Sequence, residues 1–515
     1  MMNGAQTLIR TLVASGVDVC FSNPGTSEMH FVAALDQVPE MRAVLGLFEG
    51  AVTGAADGYG RMAGRPAATL LHLGPGLANG LANLHNAMRA RTPIVNVIGD
   101  HATYHKQYDA PLESDVEGYA RPVSGWVVTS QAPERVAGDG ARAVAAARAH
   151  PGQIASLILP ADVSWGAAEG PAPPVEPQPA RQVPETTVEA IAEVLRGGEP
   201  CALLMGGTAV LREGLMHGAR VATKTGAKFL CETFPARLSR GAGVPVIERL
   251  AYLAEMAAGQ LAGLKHLVLV DTKAPVSFFA YPDKPSYLVP EGCSVHTLAA
   301  PGDDAVGALS NLSEALGAAG DSPPVQAGSQ PDAPTGPLDA KAVGEALCRM
   351  MPEGAIVVDE GNSAGVFVPI FTMGAPAHDW LCLTGGAIGQ GIPVATGAAV
   401  ACPGRRVINL EADGSAMYTL QGLWTQAREN LDVTTIVLSN RAYAVLDMEL
   451  SRVGAEAGGE RARAMLDLSR PELDFALLAR GMGVPATRAT TAEAFSQQLQ
   501  AALAQSGPNL IEAVL

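Results

Sequence analysis

Short apolar runs alternate with longer, Ala-rich stretches of helical period along almost the whole chain. Residues 68–73 and 93–99 are near-continuous apolar runs, and between and before them lie stretches such as 50–61, rich in Ala and Gly with few charges. Residues 201–205 and 266–270 repeat the pattern mid-chain, and residues 355–358, 407–410 and 434–438 repeat it again towards the end. A strand that is apolar at every position, not at alternate ones, is buried on both faces, which is the condition of a parallel sheet covered by helices. Two segments break the rhythm: 166–185, with prolines at 171, 173, 174, 177, 179 and 184, and 317–337, rich in Pro, Gly, Ser and Ala. Such segments build no core and act as extended connectors. The pattern therefore predicts an α/β protein of three doubly wound parallel-sheet domains in series, over 1–165, 186–316 and 338–515. Ligands in such sheets sit beyond the carboxyl ends of the strands, so the residues that follow each run carry the functional reading.

Composition narrows the partners. The chain of 515 residues has a formal net charge of −16, which repels nucleic acid and anionic lipid surfaces. No apolar run approaches the ~20 residues needed to span a bilayer. The seven cysteines are scattered without a CxxC pair, which fits reduced thiols and a cytoplasmic location and gives no zinc site. The first helical stretch has neither the basic head nor the long apolar core of a signal peptide.

The strongest chemical signal follows the run 407–410. Asp413, Gly414 and Ser415 come directly after it, and 27 residues beyond Asp413, at the end of the next strong run, stands Asn440. Both polar groups emerge at one rim of one sheet. A hard cation such as Mg2+ takes oxygen ligands and usually shares them between protein and phosphate. A carboxylate, an amide oxygen and a nearby backbone carbonyl supply three, leaving the rest to diphosphate and water. Singly, an Asp at a helix start and an Asn in a turn are ordinary structural features; the joint spacing carries the argument.

The segment resembles the signature of the thiamine-diphosphate-dependent 2-oxo acid decarboxylase and carboligase family, of the benzoylformate decarboxylase and acetolactate synthase large-subunit type. One difference is that Ala412 stands where that family usually has glycine. The resemblance runs through the whole chain and implies a pyrimidine-binding first domain, a central domain and a diphosphate-binding third domain. It makes Asp413, Asn440 and the Ala442 carbonyl the metal ligands, and Gly361, Asn362, Ser363, Gly414 and Ser415 further diphosphate contacts. Glu49, in the stretch 47–61, resembles the family glutamate that shares a proton with the cofactor's aminopyrimidine ring. Gly386 and Ile388, in the run 384–393, resemble the segment that meets the amino group and wedges the two rings together. The family joins these halves across subunits, which implies a homodimer or homotetramer.

Within that family the segment order looks closest to benzoylformate decarboxylase. Thr26 stands at that enzyme's serine position, and His72 matches its first active-site histidine, a group suited to proton relay near neutral pH. The second histidine is missing: residues 275–282 read Pro-Val-Ser-Phe-Phe-Ala-Tyr-Pro. His101 and His105 lie on a loop near the implied substrate mouth, and we read them as solvated. The expected activity is non-oxidative decarboxylation of a 2-oxo acid. A flavin-free, acetolactate-synthase-like carboligase is the alternative, because residues 270–275 lack the Arg-bearing pattern of the family's FAD segment. Two other classes fit less well. A nicotinamide dehydrogenase would need more than the GxGxxxG run at 74–80, and a non-catalytic relative would not need to keep Glu49 together with Asp413 and Asn440.

Overall fold

The computed structural model describes residues 2–454 and 458–515. Three parallel sheets form in series. The first has six strands in the spatial order Arg42–Leu45, Val19–Ser22, Ala67–Leu71, Ile94–Asp100, Ile154–Pro160, Trp126–Thr129, every neighbour parallel. The second orders Glu248–Arg249, Lys228–Cys231, Cys201–Met205, His266–Val270 and Ser294–Ala299, again all parallel. The third runs His378–Cys382, Ile356–Glu360, Val407–Ala412, Val433–Ser439, Asn509–Val514, Ala486–Ala489. The first and third sheets thus share one winding order. In both, the chain reverses direction across the sheet between the second and third strands from one edge.

One strand lies outside the simple serial pattern. Leu238–Arg240 leaves the region of the second sheet and pairs antiparallel with His378–Cys382, extending the third. Its Arg240 guanidinium stacks over the fully buried Trp380 ring at 4.5 Å, a cation–π contact that ties the central region to the last sheet.

Two helices join the outer sheets. Gly391–Ala401 is buried at every position from 391 to 400, as expected of a helix enclosed on all sides. It packs along Glu49–Ala63, and small residues set the distance between them. A Cβ on Gly58 would lie 2.0 Å from the Val394 carbonyl oxygen, and one on Gly397 would lie 1.8 Å from that of Ala55. Arg61, on the first of these helices, makes a buried ion pair with Asp57 at 2.5 Å and donates to the Cys382 carbonyl at 2.8 Å. Among the described residues no helix is long and apolar enough to cross a membrane.

Candidate active site

In open parallel sheets the crevice for a ligand opens where the winding reverses. This chain has three such points; Thr26 and His72 flank the one in the first sheet, Gly361, Asn362, Ser363, Asp413, Gly414 and Ser415 the one in the third, and Glu49, Asn440, Ala442, Gly386 and Ile388 follow neighbouring strands.

In the first sheet the point lies between Val19–Ser22 and Ala67–Leu71. Beyond the former come Gly25 and a 3-10 turn, Thr26–Glu28; beyond the latter comes His72, the residue that opens helix Leu73–Ala90. Thr26 is exposed, whereas Glu28 is 2% exposed. Glu28 Oε2 accepts from the Gly25 N–H at 2.7 Å and meets His72 Nδ1 at 2.8 Å. Burial pushes the Glu28 pKa up, and the His72 imidazole opposes that rise. Among the described residues the other Glu28 oxygen, Oε1, is buried without a hydrogen-bond partner. Glycines make room for the pair: a Cβ on Gly25 would lie 2.2 Å from His72 Nδ1, and one on Gly99 would lie 1.6 Å from Glu28 Oε1. Sequence reasoning missed Glu28. The signal available was an acid three residues past a glycine in a post-strand turn, and nothing in the sequence alone connects it to a histidine 44 positions away.

Glu49 is the first residue of its helix and is 8% exposed. Its Oε2 accepts from Asn79 Nδ2 at 3.0 Å. A Cβ on Gly76 would lie 3.1 Å from His72 Cβ and 3.2 Å from Glu49 Oε1. Glu49 and His72 therefore flank one small residue, and Thr26 follows Gly25, whose Cα faces the His72 ring. The His101 and His105 rings meet at 5.3 Å, tilted by 53°; His105 is exposed as expected, whereas His101 is half-buried with its Nε2 out of solvent, against the solvated reading, and among the described residues neither hydrogen-bonds to Glu28, His72 or Glu49.

In the third sheet the reversal lies between Ile356–Glu360 and Val407–Ala412. Gly361, Asn362 and Ser363 follow the former; Asp413, Gly414 and Ser415 begin the helix Asp413–Thr419 after the latter. Asn362, held at φ +45°, donates from Nδ2 to Ser415 Oγ at 2.9 Å, bridging the two strand ends. Ala412 has φ −77° and ψ 145°, a conformation any residue adopts, so the departure from glycine imposes no strain. Asp413 accepts the Gly414 N–H on Oδ1 at 2.8 Å and the Arg441 N–H on Oδ2 at 2.6 Å. Burial pushes its pKa up, while those N–H groups pull the other way. Arg441 sits at φ +58° and turns the chain so that Asn440 and Ala442 share the rim; Asn440 Oδ1 accepts from the Ala442 N–H at 3.1 Å. Gly414 is required, since a Cβ there would lie 2.3 Å from the Tyr443 ring.

These groups fit a hard cation shared with a diphosphate. Among the described residues no three His, Cys, Asp or Glu side chains cluster to hold a metal. Asp413 and Asn440 are joined through the 440–442 turn, and each retains oxygen lone pairs beyond the single N–H each oxygen accepts. An oxygen site of one carboxylate, one amide and one carbonyl would leave phosphate and water to complete the coordination that Mg2+ prefers.

The loop carrying Gly386 and Ile388 connects His378–Cys382 to the helix Gly391–Ala401. Gly386, at φ +73°, is exposed, and Ile388 is half-buried. A Cβ on Gly386 would lie 3.1 Å from the Phe278 ring, so the segment that lacks the second histidine presents an aromatic wall here. Phe278 packs in turn against Tyr252 and Phe279, with ring centroids 5.3 and 5.0 Å away.

Beneath this loop two fully buried carboxyls, Glu360 and Glu411, face each other across Gly391, where a Cβ would lie 2.2 Å from Glu411 Oε2 and 3.1 Å from Glu360 Oε2. Burial raises both pKa values above the carboxylate range, and in Glu411 the neighbouring Glu360 adds to the rise. A carboxyl whose pKa is raised on folding stabilises the fold most at low pH and loses that contribution as pH climbs through the folded value. The cofactor-free protein is accordingly expected to melt several degrees lower at pH 8.5 than at pH 6.0. Glu411→Gln, which gives Glu360 a permanent donor, should flatten that dependence in a thermal-melting series; an unchanged slope would mean the pair is not its source.

The third reversal point, in the central sheet, is filled by the chain itself. Asp271 pairs with Arg91, from the end of helix Leu73–Ala90, at 2.5 Å and accepts the Thr208 N–H at 2.9 Å. A Cβ on Gly207 would lie 2.1 Å from its carboxylate. Glu232 lies beside it, its pKa raised by burial to about 7.

Residues 2–119 match the family model "Thiamine pyrophosphate enzyme, N-terminal TPP binding domain", and residues 359–513 match "Thiamine pyrophosphate enzyme, C-terminal TPP binding domain". A Mycobacterium tuberculosis protein named "Putative acetolactate synthase large subunit IlvX" is 59% identical over all of this chain and 99% of its own length. Benzoylformate decarboxylase of Pseudomonas aeruginosa is 30% identical over 96% of each chain. The solved structure of a Rhodococcus jostii RHA1 thiamine diphosphate-dependent 4-hydroxybenzoylformate decarboxylase shares the fold, with a TM-score of 0.84 at 24% identity over 99% of this chain and 98% of that one. The chain thus belongs to the thiamine-diphosphate-dependent enzymes of the decarboxylase and acetolactate synthase family.

Proposed function

We propose that this protein is a thiamine-diphosphate and Mg2+-dependent, non-oxidative decarboxylase of a 2-oxo acid. The observation that carries the reading is the half-buried His72 paired with the buried Glu28 beside Glu49, a proton-handling group next to the carboxyl that would meet the cofactor. Thiamine diphosphate, when bound, supplies a thiazolium carbon that adds to the ketone and takes up the electron pair released with carbon dioxide. Asp413, Asn440 and the Ala442 carbonyl would hold the metal, and Asn362 and Ser415 would line the diphosphate. Glu49 would hold a proton against the aminopyrimidine, and Ile388 would keep the two rings close. His72, oriented by Glu28, would deliver the proton that releases an aldehyde, with the Thr26 hydroxyl at the substrate's edge.

Glu49 makes its one side-chain hydrogen bond to Asn79, and among the described residues no hydrogen bond joins it to the Asp413–Asn440 cluster. The diphosphate half carries exposed apolar side chains, Val366, Phe367, Ile370 and Tyr418, each more than half exposed. Apolar side chains left to solvent in this way suit a protein interface, which supports a homodimer, alone or paired into a tetramer, in which one copy's Glu49 half closes over its partner's diphosphate half. The filled central crevice supports a flavin-free enzyme.

A second reading is a carboligase, favoured by the Phe278 wall where a second acid would stand and by the name of the 59%-identical relative. Calorimetric titration of metal-stripped protein with thiamine diphosphate, with and without Mg2+, followed by carbon dioxide and product analysis with pyruvate and benzoylformate, separates these. Mg2+-dependent binding with gas release and aldehyde supports the decarboxylase, hydroxyketone the carboligase; no binding would overturn both. Glu28→Gln is expected to lower turnover on the order of 10–100-fold with cofactor affinity intact, as for a group acting through a general acid. Steady-state rates alongside the same titration check it.

A further inference from the structure

The loop 383–390 contains three glycines, at 385, 386 and 389, of which Gly386 and Gly389 have positive φ. A loop so pliable does not by itself aim the Ile388 side chain. Its direction is set from outside, by contacts on the residues on either side. Asn86, fully buried on helix Leu73–Ala90, donates from Nδ2 to the Ala387 carbonyl at 2.8 Å and accepts the Ala387 N–H on Oδ1 at 3.2 Å. It thereby holds both polar groups of the residue before Ile388. On the other side, the Gly389 carbonyl accepts from Asn83 Nδ2 at 3.2 Å and Thr419 Oγ1 at 2.9 Å, while its N–H donates to Glu360 at 2.7 Å. Asn86 Nδ2 also donates to Asn83 Oδ1 at 3.0 Å, linking the two grips.

Three asparagines at 79, 83 and 86 occupy one face of this helix, spaced four and three apart. Asparagine is a poor helix former, and burying a carboxamide is unfavourable unless every group is paired, so packing alone gives no reason for two buried asparagines here. Only a carboxamide offers the adjacent donor and acceptor that one residue's backbone demands. Gly385 completes the fit, since a Cβ there would lie 2.5 Å from Asn86 Oδ1. Asn79, on the same face, holds Glu49.

We propose that Asn86, with Asn83 behind it, is a positioning residue that fixes Ile388 from the first domain, so that one helix sets the Glu49 carboxyl of one cofactor site and the wedge loop of the other. This rests on the reading of Ile388 given above. The test uses the full-length protein with thiamine diphosphate and Mg2+, and reads two quantities besides turnover: cofactor affinity by calorimetry and deuterium exchange at the thiazolium carbon of the bound cofactor by quenched-sample NMR. Asn86→Asp, which removes the donor, and Ile388→Ala are both expected to slow exchange on the order of 10–100-fold, the effect of misplacement by about an ångström, while affinity stays within about threefold. Gly385→Ala crowds Asn86 from the loop side, its Cβ falling 2.5 Å from Oδ1 and 2.9 Å from Cα, and leaves the helix sequence and its carboxamides in place; it should reproduce the loss, so the test stands even where Asn86→Asp folds poorly. Slow exchange in Ile388→Ala but wild-type exchange in Asn86→Asp or Gly385→Ala would overturn the proposal alone. Wild-type exchange in Ile388→Ala would overturn the wedge reading beneath it.

Discussion

Glu49→Gln is expected to bind thiamine diphosphate with wild-type affinity and to lose about 10²–10⁴-fold in turnover, the range typical of removing a positioned proton-transfer group. The substitution is nearly isosteric. Glu49 is 8% exposed and uses Oε2 to accept from Asn79 Nδ2; a glutamine carbonyl oxygen accepts the same bond, so the helix start and its neighbours His72 and Gly76 keep their places. What glutamine lacks is a proton to share with the aminopyrimidine. An effect on rate without an effect on affinity therefore separates proton sharing from simple binding, and calorimetry paired with carbon dioxide release measures both. If affinity fell in step with the rate, Glu49 would be a binding residue instead; if turnover were normal, it would have no part in the chemistry.

The asymmetry between legible and illegible features has a physical basis. Strands buried on both faces announce themselves as unbroken apolar runs, so the central strands of all three sheets could be read from residues 68–71, 201–205 and 407–410. Leu238–Arg240 could not: three residues reading Leu-Ser-Arg carry no period, and their pairing with His378–Cys382 is fixed by tertiary contacts, above all Arg240 on Trp380. The site divides in the same way. Asp413 and Asn440 stand directly beyond consecutive strong strands, so their spacing brings them to one rim. Glu28, Asn83 and Asn86 acquire their roles from partners 44, 306 and 301 positions away along the chain, a distance over which a single sequence carries no pairing signal. The asparagines nonetheless left a trace that a close reading would catch: three poor helix formers on one face of an otherwise apolar, Gly- and Ala-rich helix. Ala412 shows the converse, a departure that looks disruptive in sequence and is harmless in structure because its backbone is extended.

Asp413→Ala is expected to abolish the Mg2+ dependence of cofactor binding, weakening affinity by on the order of 100-fold or more, beyond the 10–100-fold typical of losing a residue that merely supports a metal ligand. Two losses coincide in that variant. The carboxylate would be the one anionic side chain offered to the metal, and it is also the acceptor that fixes the turn bearing Asn440 and Ala442 through the Arg441 N–H. Asp413→Asn separates them in part: the amide oxygen still accepts from Arg441 while the charge is gone, although the amide NH2 then replaces the oxygen that accepts the Gly414 N–H. Burial raises the Asp413 pKa, whereas a bound divalent cation favours the ionised form; the charge is thus the component the metal depends on. Asp413→Asn should accordingly melt somewhat below wild type without cofactor, from the one N–H acceptor lost at Gly414, yet keep the turn held through Arg441 and lose most of its response to Mg2+ in the calorimetric titration. Should Asp413→Asn instead bind thiamine diphosphate with undiminished Mg2+ dependence, the metal would have to be held elsewhere, and the resemblance that places it between Asp413 and Asn440 would fail at its most specific point.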